Sequence, residues 1–201
     1  ASAEPRSLTA SLMAQRASVG RFRAFVGIGW TDSVSPVHAD SVSFLSYCGT
    51  GTNRKLGSAL DILPIPYASL APSLAGDKPV LLLSLGRGSN DACFSYGAGR
   101  EYLGDLLHHA SLVIAEVSDK SPSSGHADGE IMRDRIDIIV RTRSEPPSRP
   151  NMAPEVRELR IATRIAELIE DGSTLQIGLG TLPATALRLL HNHRDLGVHS
   201  G

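Results

Sequence analysis

Gly178, Gly180 and Pro183, within Leu175-Gln176-Ile177-Gly178-Leu179-Gly180-Thr181-Leu182-Pro183, are the residues whose types and spacing point most directly to chemistry. Two glycines let the backbone turn tightly, and the N–H groups exposed where the next helix begins can receive an oxyanion or a phosphate. Pro183 suits the first helical turn, where its missing N–H would have had no helical partner. From spacing alone, a glycine turn that joins strand to helix without any ligand fits equally well. A dinucleotide fingerprint fits poorly, because Pro183 stands where the third glycine should be.

Other chemistry-bearing residues are scattered. Glu116 ends a hydrophobic strand, where a carboxylate is costly unless paired. It is either a pocket residue at the carboxyl end of a sheet or a buried glutamate satisfied by backbone or an arginine. His126-Ala127-Asp128-Gly129-Glu130 alternates metal-capable side chains, but nothing distant completes a ligand set, so the stretch reads as a solvated loop and no metal is expected. His108-His109 and the pair His191/His193 read as helix-end residues. His199 falls at a strand end, where a positioning role is open. Asp32, His38 and Ser33/Ser35 lack a G-x-S-x-G elbow and do not make a hydrolase triad. Cys48 and Cys93 show no C-x-x-C spacing and read as reduced small hydrophobes of a cytoplasmic protein; a disulfide is neither supported nor excluded.

These residues need a scaffold, and the chain has the composition for one. Its 201 residues are 41% hydrophobic and 20% charged, which excludes disorder and allows one good core or a domain plus part of another. A formal charge of −1 gives no bulk attraction to nucleic acid or to an anionic membrane. No apolar run approaches the ~20 residues of a membrane span. No signal peptide precedes Ala1 and there is no initiator Met, so a start is expected to be missing. Helical patterns over Ser7–Val19, Arg100–Ala110, Pro154–Glu170 and Ala184–His193 alternate with strand-like runs at Phe22–Ile28, Val42–Tyr47, Val80–Leu85, Leu112–Val117, Ile136–Val140 and Leu196–His199. Leu60–Pro66 is an edge strand or extended loop, and Gly86–Asp91 a polar glycine loop. The alternation predicts an α/β fold with a mainly parallel sheet flanked by helices. Residues 144–154 hold a Pro-rich linker that separates an α/β domain over 1–143 from the start of a second one over 155–201.

Asp171-Gly172-Ser173-Thr174-Leu175-Gln176-Ile177-Gly178-Leu179-Gly180-Thr181-Leu182-Pro183, with Arg194-Asp195-Leu196-Gly197-Val198-His199-Ser200, resembles the acetyl-CoA hydrolase/transferase family, which includes the acetate and 4-hydroxybutyrate CoA-transferases. Leu112-Val113-Ile114-Ala115-Glu116-Val117 resembles the family's V-I-A-E-V strand, and Ser46–Gly51 and Glu4-Pro5 are weaker echoes. The resemblance implies a CoA-transferase-like fold of two related α/β domains with the active site between them. Against that pattern the chain is expected to lack its first strand and most of the second domain, as a fragment or as half of a split protein. It further implies coenzyme A as a substrate with no bound cofactor. The implied partners are acyl-CoA and small carboxylates, the missing C-terminal half in cis or as a separate chain, and a second copy in a homo-oligomer.

In such an enzyme a glutamate attacks the acyl-CoA thioester. The N–H groups of Gly178, Leu179, Gly180, Thr181 and Leu182, closed by Pro183, would stabilise the oxyanion and line the path of the pantetheine arm. Glu116 and His199 are the pocket candidates. Gly201 stands where the family has its nucleophilic glutamate, so the catalytic residue is unknown. The chain is a divergent branch or the terminus lies at a cut. A non-catalytic CoA-ester-binding or assembly domain is therefore the alternative. A sugar-phosphate isomerase-like domain, of similar fold, would need an acid/base pair that the sequence does not supply.

Overall fold

Leu81, Leu83 and Leu85 alternate with less buried neighbours along the strongest apolar run of the chain, and this run forms the central strand of the largest sheet. The structure is a computed structural model that describes residues 4–97, 99–125, 127–148 and 152–199. The chain divides into two compact units, 1–149 and 150–201, a division that falls inside the Pro-rich stretch.

In the first unit the predicted N-terminal helix is split. Helix α1 (Arg6–Ala14) breaks at Gln15 and resumes as α2 (Arg16–Val19), which ends at Gly20 with φ of +88°. Strands β1 (Phe22–Phe25), β2 (Val42–Ser46) and β3 (Leu60–Ile62) form a parallel sheet in the order β1-β2-β3. The prolines after β3 keep it short and at the edge. Phe44 of β2 is fully buried and packs with Met13, Val42 and Leu56.

Helix α3 (Leu70–Ala75) leads to β4 (Val80–Arg87), β5 (Cys93–Ser95), α4 (Glu101–Leu106), β6 (Leu112–Ser118), β7 (Glu130–Met132) and β8 (Ile138–Thr142). The second sheet has the order β7-β5-β4-β6-β8. Strands β4, β6 and β8 are parallel in register, with Leu83 opposite Ala115 and Ala115 opposite Ile139. Leu83, Leu85, Leu106 and Ala115 are all but inaccessible to solvent, each leucine contributing about 1.5–3 kcal/mol by its burial. The α/β class with a mainly parallel sheet flanked by helices is thus what the chain adopts. Two antiparallel strands add to it. Gly86 and Arg87, expected in a loop, continue β4 and pair with β5, and β5 pairs with β7, whose first residue, Glu130, ends the stretch expected to be a solvated loop. Three-residue strands are too short to show a period of two.

The second unit is a single βαβ step with a helix before it. Helix α5 (Val156–Glu167) starts on a capping box between Glu155 and Glu158. It is followed by β9 (Thr174–Leu175), α6 (Thr181–Leu189) and β10 (Gly197–Val198), and β9 pairs with β10 in parallel. Ala162 of α5 and Ala186 of α6 are buried. None of the described helices is long and apolar enough to cross a membrane.

Candidate functional site

The glycine loop is positioned by the βαβ step. Strand β9 ends at Leu175, and the chain passes through Gln176–Leu179 to Gly180, the residue that caps α6. Gly180 has φ of +158°, and a Cβ there would stand 3.3 Å from Pro183 Cδ, so the turn into the helix is tight. The first turn of α6 is locked by Ala184 N–H donating to Gly180 O (3.3 Å) and by the Thr185 hydroxyl donating to Thr181 O (2.7 Å). Pro183, third in the helix, has no N–H to give. Among the described residues, the N–H groups of Gly178, Leu179, Gly180, Thr181 and Leu182 donate no hydrogen bond. Leu179 is 82% exposed and nothing lies within 4 Å of a Cβ built on Gly178, so the start of the loop is open, while Gly180, Thr181 and Leu182 are half-buried. These donors lie at the amino, positively polarised end of a nine-residue helix.

The flanks of this loop hold it from below. Leu175 is in register with Val198, and His199 N–H donates to Leu175 O at 2.9 Å, which brings His199 to the same carboxyl edge as the loop. Its side chain is exposed. At the opposite edge Arg194 N–H donates to Asp171 Oδ1 (2.8 Å), Gly172 N–H to Arg194 O (2.9 Å), and His193 Nε2–H to Ile169 O (2.9 Å). The Asp-Gly pair and the histidine therefore fasten the strand starts. Ser200 and Gly201 lie outside the described residues, as does His126.

Glu116 belongs to the first unit and has a different task. It is 4% exposed, and it accepts hydrogen bonds from Ser7 N–H (2.8 Å), Leu8 N–H (3.1 Å) and the Ser7 hydroxyl (2.9 Å). Ser7 and Leu8 are the second and third residues of α1, the positions that an N-cap side chain normally serves. Pro5 occupies the cap and cannot do it, so a carboxylate from β6 does. The carboxylate that ends the apolar strand is thus satisfied by two backbone N–H groups and a hydroxyl.

At the carboxyl ends of β1 and β2 the structure brings together residues that sequence reasoning passed over. Gly29 and Gly51 form a parallel bridge, and Thr52 N–H donates to Gly29 O at 2.8 Å. Asn53, fully buried, donates through Nδ2 to Gly27 O. A Cβ on Gly29 would lie 2.7 Å from Asn53 Oδ1 and 2.9 Å from Thr52 Oγ1, two buried oxygens without a hydrogen bond that instead face the Gly29 Cα–H. Beside them Phe25, Tyr47, Tyr67 and Tyr102 close a ring of four aromatic side chains, with centroids 5.4–6.4 Å apart. Burial and then the charge of Glu101 push Tyr67 up to about 12, and burial raises Tyr47 and Tyr102 as well. The glycine pairs Gly27/Gly29 and Gly49/Gly51 were the available signal, but nothing in the sequence said that the two turns meet. Elsewhere Cys48 and Cys93 are free thiols, and Cys93 Sγ donates to Glu130 Oε2 at 3.1 Å.

No family model matches the chain. In sequence it is similar to 4-hydroxybutyrate coenzyme A transferase of Clostridium kluyveri, 33% identical over 138 residues, which are 64% of this chain and 31% of that protein. In structure it is similar to RipA from Yersinia pestis, with a TM-score of 0.86 and 21% identity over 99% of this chain and 50% of the other. It is also similar to 4-hydroxybutyrate CoA-transferase from Porphyromonas gingivalis, with a TM-score of 0.71 and 23% identity over 100% of this chain and 48% of the other. The chain thus spans about half the length of these solved structures, and its aligned part less than a third of the Clostridium relative. The other curated relatives include a succinyl-CoA:acetate/propanoyl-CoA:succinate CoA transferase of Fasciola hepatica. The curated homologues of this chain are CoA transferases, and it has the α/β fold of one.

Proposed function

We propose that this chain supplies the CoA-thioester loop of a CoA-transferase that moves coenzyme A between short-chain acyl-CoA and a carboxylate such as acetate or 4-hydroxybutyrate. The observation that carries this reading is the run of N–H groups from Gly178 to Leu182, at the start of α6, that donate to no described residue. When a nucleophile adds to a thioester carbonyl carbon, the oxygen gains a full negative charge before the C–S bond breaks. Donors fixed in advance by backbone geometry stabilise that oxygen without reorganising, an effect worth several kcal/mol (about 3 per donor) in enzymes that use it. Pro183 and the tight cap at Gly180 hold the donors in place. His199, at the same edge, is the adjacent polar side chain. Glu116 supports the first unit through α1. Hydrolysis follows from the same loop if water takes the place of the carboxylate.

Hydrogen exchange tests this reading. Saturating acetyl-CoA or butyryl-CoA is expected to slow exchange in residues 175–190. Unchanged exchange there overturns it. Because Gly201 stands at the position of the family's nucleophile, a second reading has CoA-ester binding without turnover. Protection of the loop with no CoA exchange between acyl-CoA and labelled acetate selects that one.

A further inference from the structure

An open cavity of about 320 Å³ lies on the first unit between α4, β7 and the short turn Arg133–Arg135, and its lining includes Tyr96, Arg100, His108 and Arg135. Tyr96 follows β5 directly and is pinned by its N–H donating to Gly129 O at 2.8 Å. The residue is only 5% exposed, yet its hydroxyl makes no hydrogen bond among the described residues and belongs to the cavity wall. The hydroxyl is not sealed from solvent, and with no protein partner among the described residues it is free to donate to a ligand that enters the open cavity.

The cations around it are arranged by the backbone. Arg100 lies flat along α4 across Gly104, where any Cβ would collide with the arginine stem. It keeps an exposed contact with Asp105 at 3.2 Å. Arg135 Nη2 donates to His108 Nδ1 at 3.3 Å. A guanidinium can only donate, so this bond places the histidine proton on Nε2 and leaves that N–H free to donate again. Arg135 has no carboxylate partner among the described residues. Burial raises the Tyr96 phenol; the charges of Arg100 and Arg135 oppose that rise, and the charge of Asp105 adds to it. Of the two carboxylates in the lining, Glu130 is turned away. Its oxygens are taken by Ser89 N–H, the Ser89 hydroxyl and the Cys93 thiol. Asp128 is exposed at the rim.

We propose that this pocket binds a small oxyanion, held by the Arg135 guanidinium, the Tyr96 hydroxyl and the His108 Nε2–H. Carboxylate and phosphate share the required chemistry: acceptor-only oxygens, a negative charge, and a size that suits the cavity. The proposal stands apart from the CoA-transfer reading, since it uses no residue of the second unit.

The test is titration of the full chain, with tyrosine rings labelled with ¹³C, against sodium acetate, sodium butyrate and inorganic phosphate, with sodium chloride at matched ionic strength as reference. A saturable shift of the Tyr96 ring signals, identified by their loss in Tyr96→Phe, is expected with at least one oxyanion. Saturation by acetate or butyrate alone names a carboxylate site, and saturation by phosphate alone names a phosphate site. Calorimetry should show Arg135→Gln weakening the binding by about tenfold or more, as loss of a charge-assisted hydrogen bond does, and Tyr96→Phe by about threefold. Tyr96→Phe removes only a hydroxyl, so it decides the matter if Arg135→Gln fails to fold. A linear response no different from chloride, or an unchanged affinity in both variants, overturns the proposal.

Discussion

Removing the Glu116 carboxylate should cost more than the loss of one surface charge, because two N–H groups and a hydroxyl of α1 converge on it inside a nearly closed site. Glu116→Ala is expected to lower the unfolding free energy by about 3 kcal/mol, with Glu116→Gln recovering part of it, measured by urea titration. A change under about 0.5 kcal/mol would mean that water replaces the carboxylate as the cap. The sequence showed a carboxylate at the end of an apolar strand, and so the expense, but not its compensation. The compensating donors lie 109 residues earlier in the chain, beyond any local pattern. The same holds for Tyr96, whose surroundings depend on Gly129 and Arg135 far along the sequence. Gly178 and Gly180 were legible because all that defines them, strand, turn and helix, lies within a dozen neighbouring residues.

Among the elements, the two glycine turns that close the first sheet are the most demanding. Gly51 has φ of +70°, and a Cβ there would run into the Gly29 carbonyl across the bridge. Gly51→Ala should therefore destabilise the protein by about 2 kcal/mol or more, the left-handed penalty plus the displaced bridge, while Gly57→Ala, with φ of +53° and open space around it, pays only the first part. Equal losses in thermal melts of the two variants would show that the bridge contributes nothing. Long apolar strands and amphipathic helices could be read from the chain because their patterns repeat. Strands β5 and β7 could not, since three residues each carry no repeat and their pairing is set by β4 continuing through Gly86 and Arg87.

Across the first unit as a whole, the aromatic ring joins β1, β2 and the segment after β3 to α4, and so links the two sheets. Its tyrosines have folded-state pKa values above the ordinary value near 10, Tyr67 reaching about 12. A raised pKa means that the neutral form is favoured by folding. The contribution is complete below about pH 10 and is lost as the pH climbs through the folded-state value. Thermal stability should thus fall between about pH 10 and 12, and Tyr67→Phe should flatten that fall. An identical alkaline profile in the variant would put the transition elsewhere in the protein. The cap on α1 also bears on the order of events during synthesis. Its anchor is made 109 residues after the helix that needs it, so when α1 leaves the ribosome its amino end lacks the Glu116 carboxylate. At a synthesis rate of about 5–20 residues per second, that end waits on the order of ten seconds for β6. Helix α1 is then among the last pieces of its unit to settle.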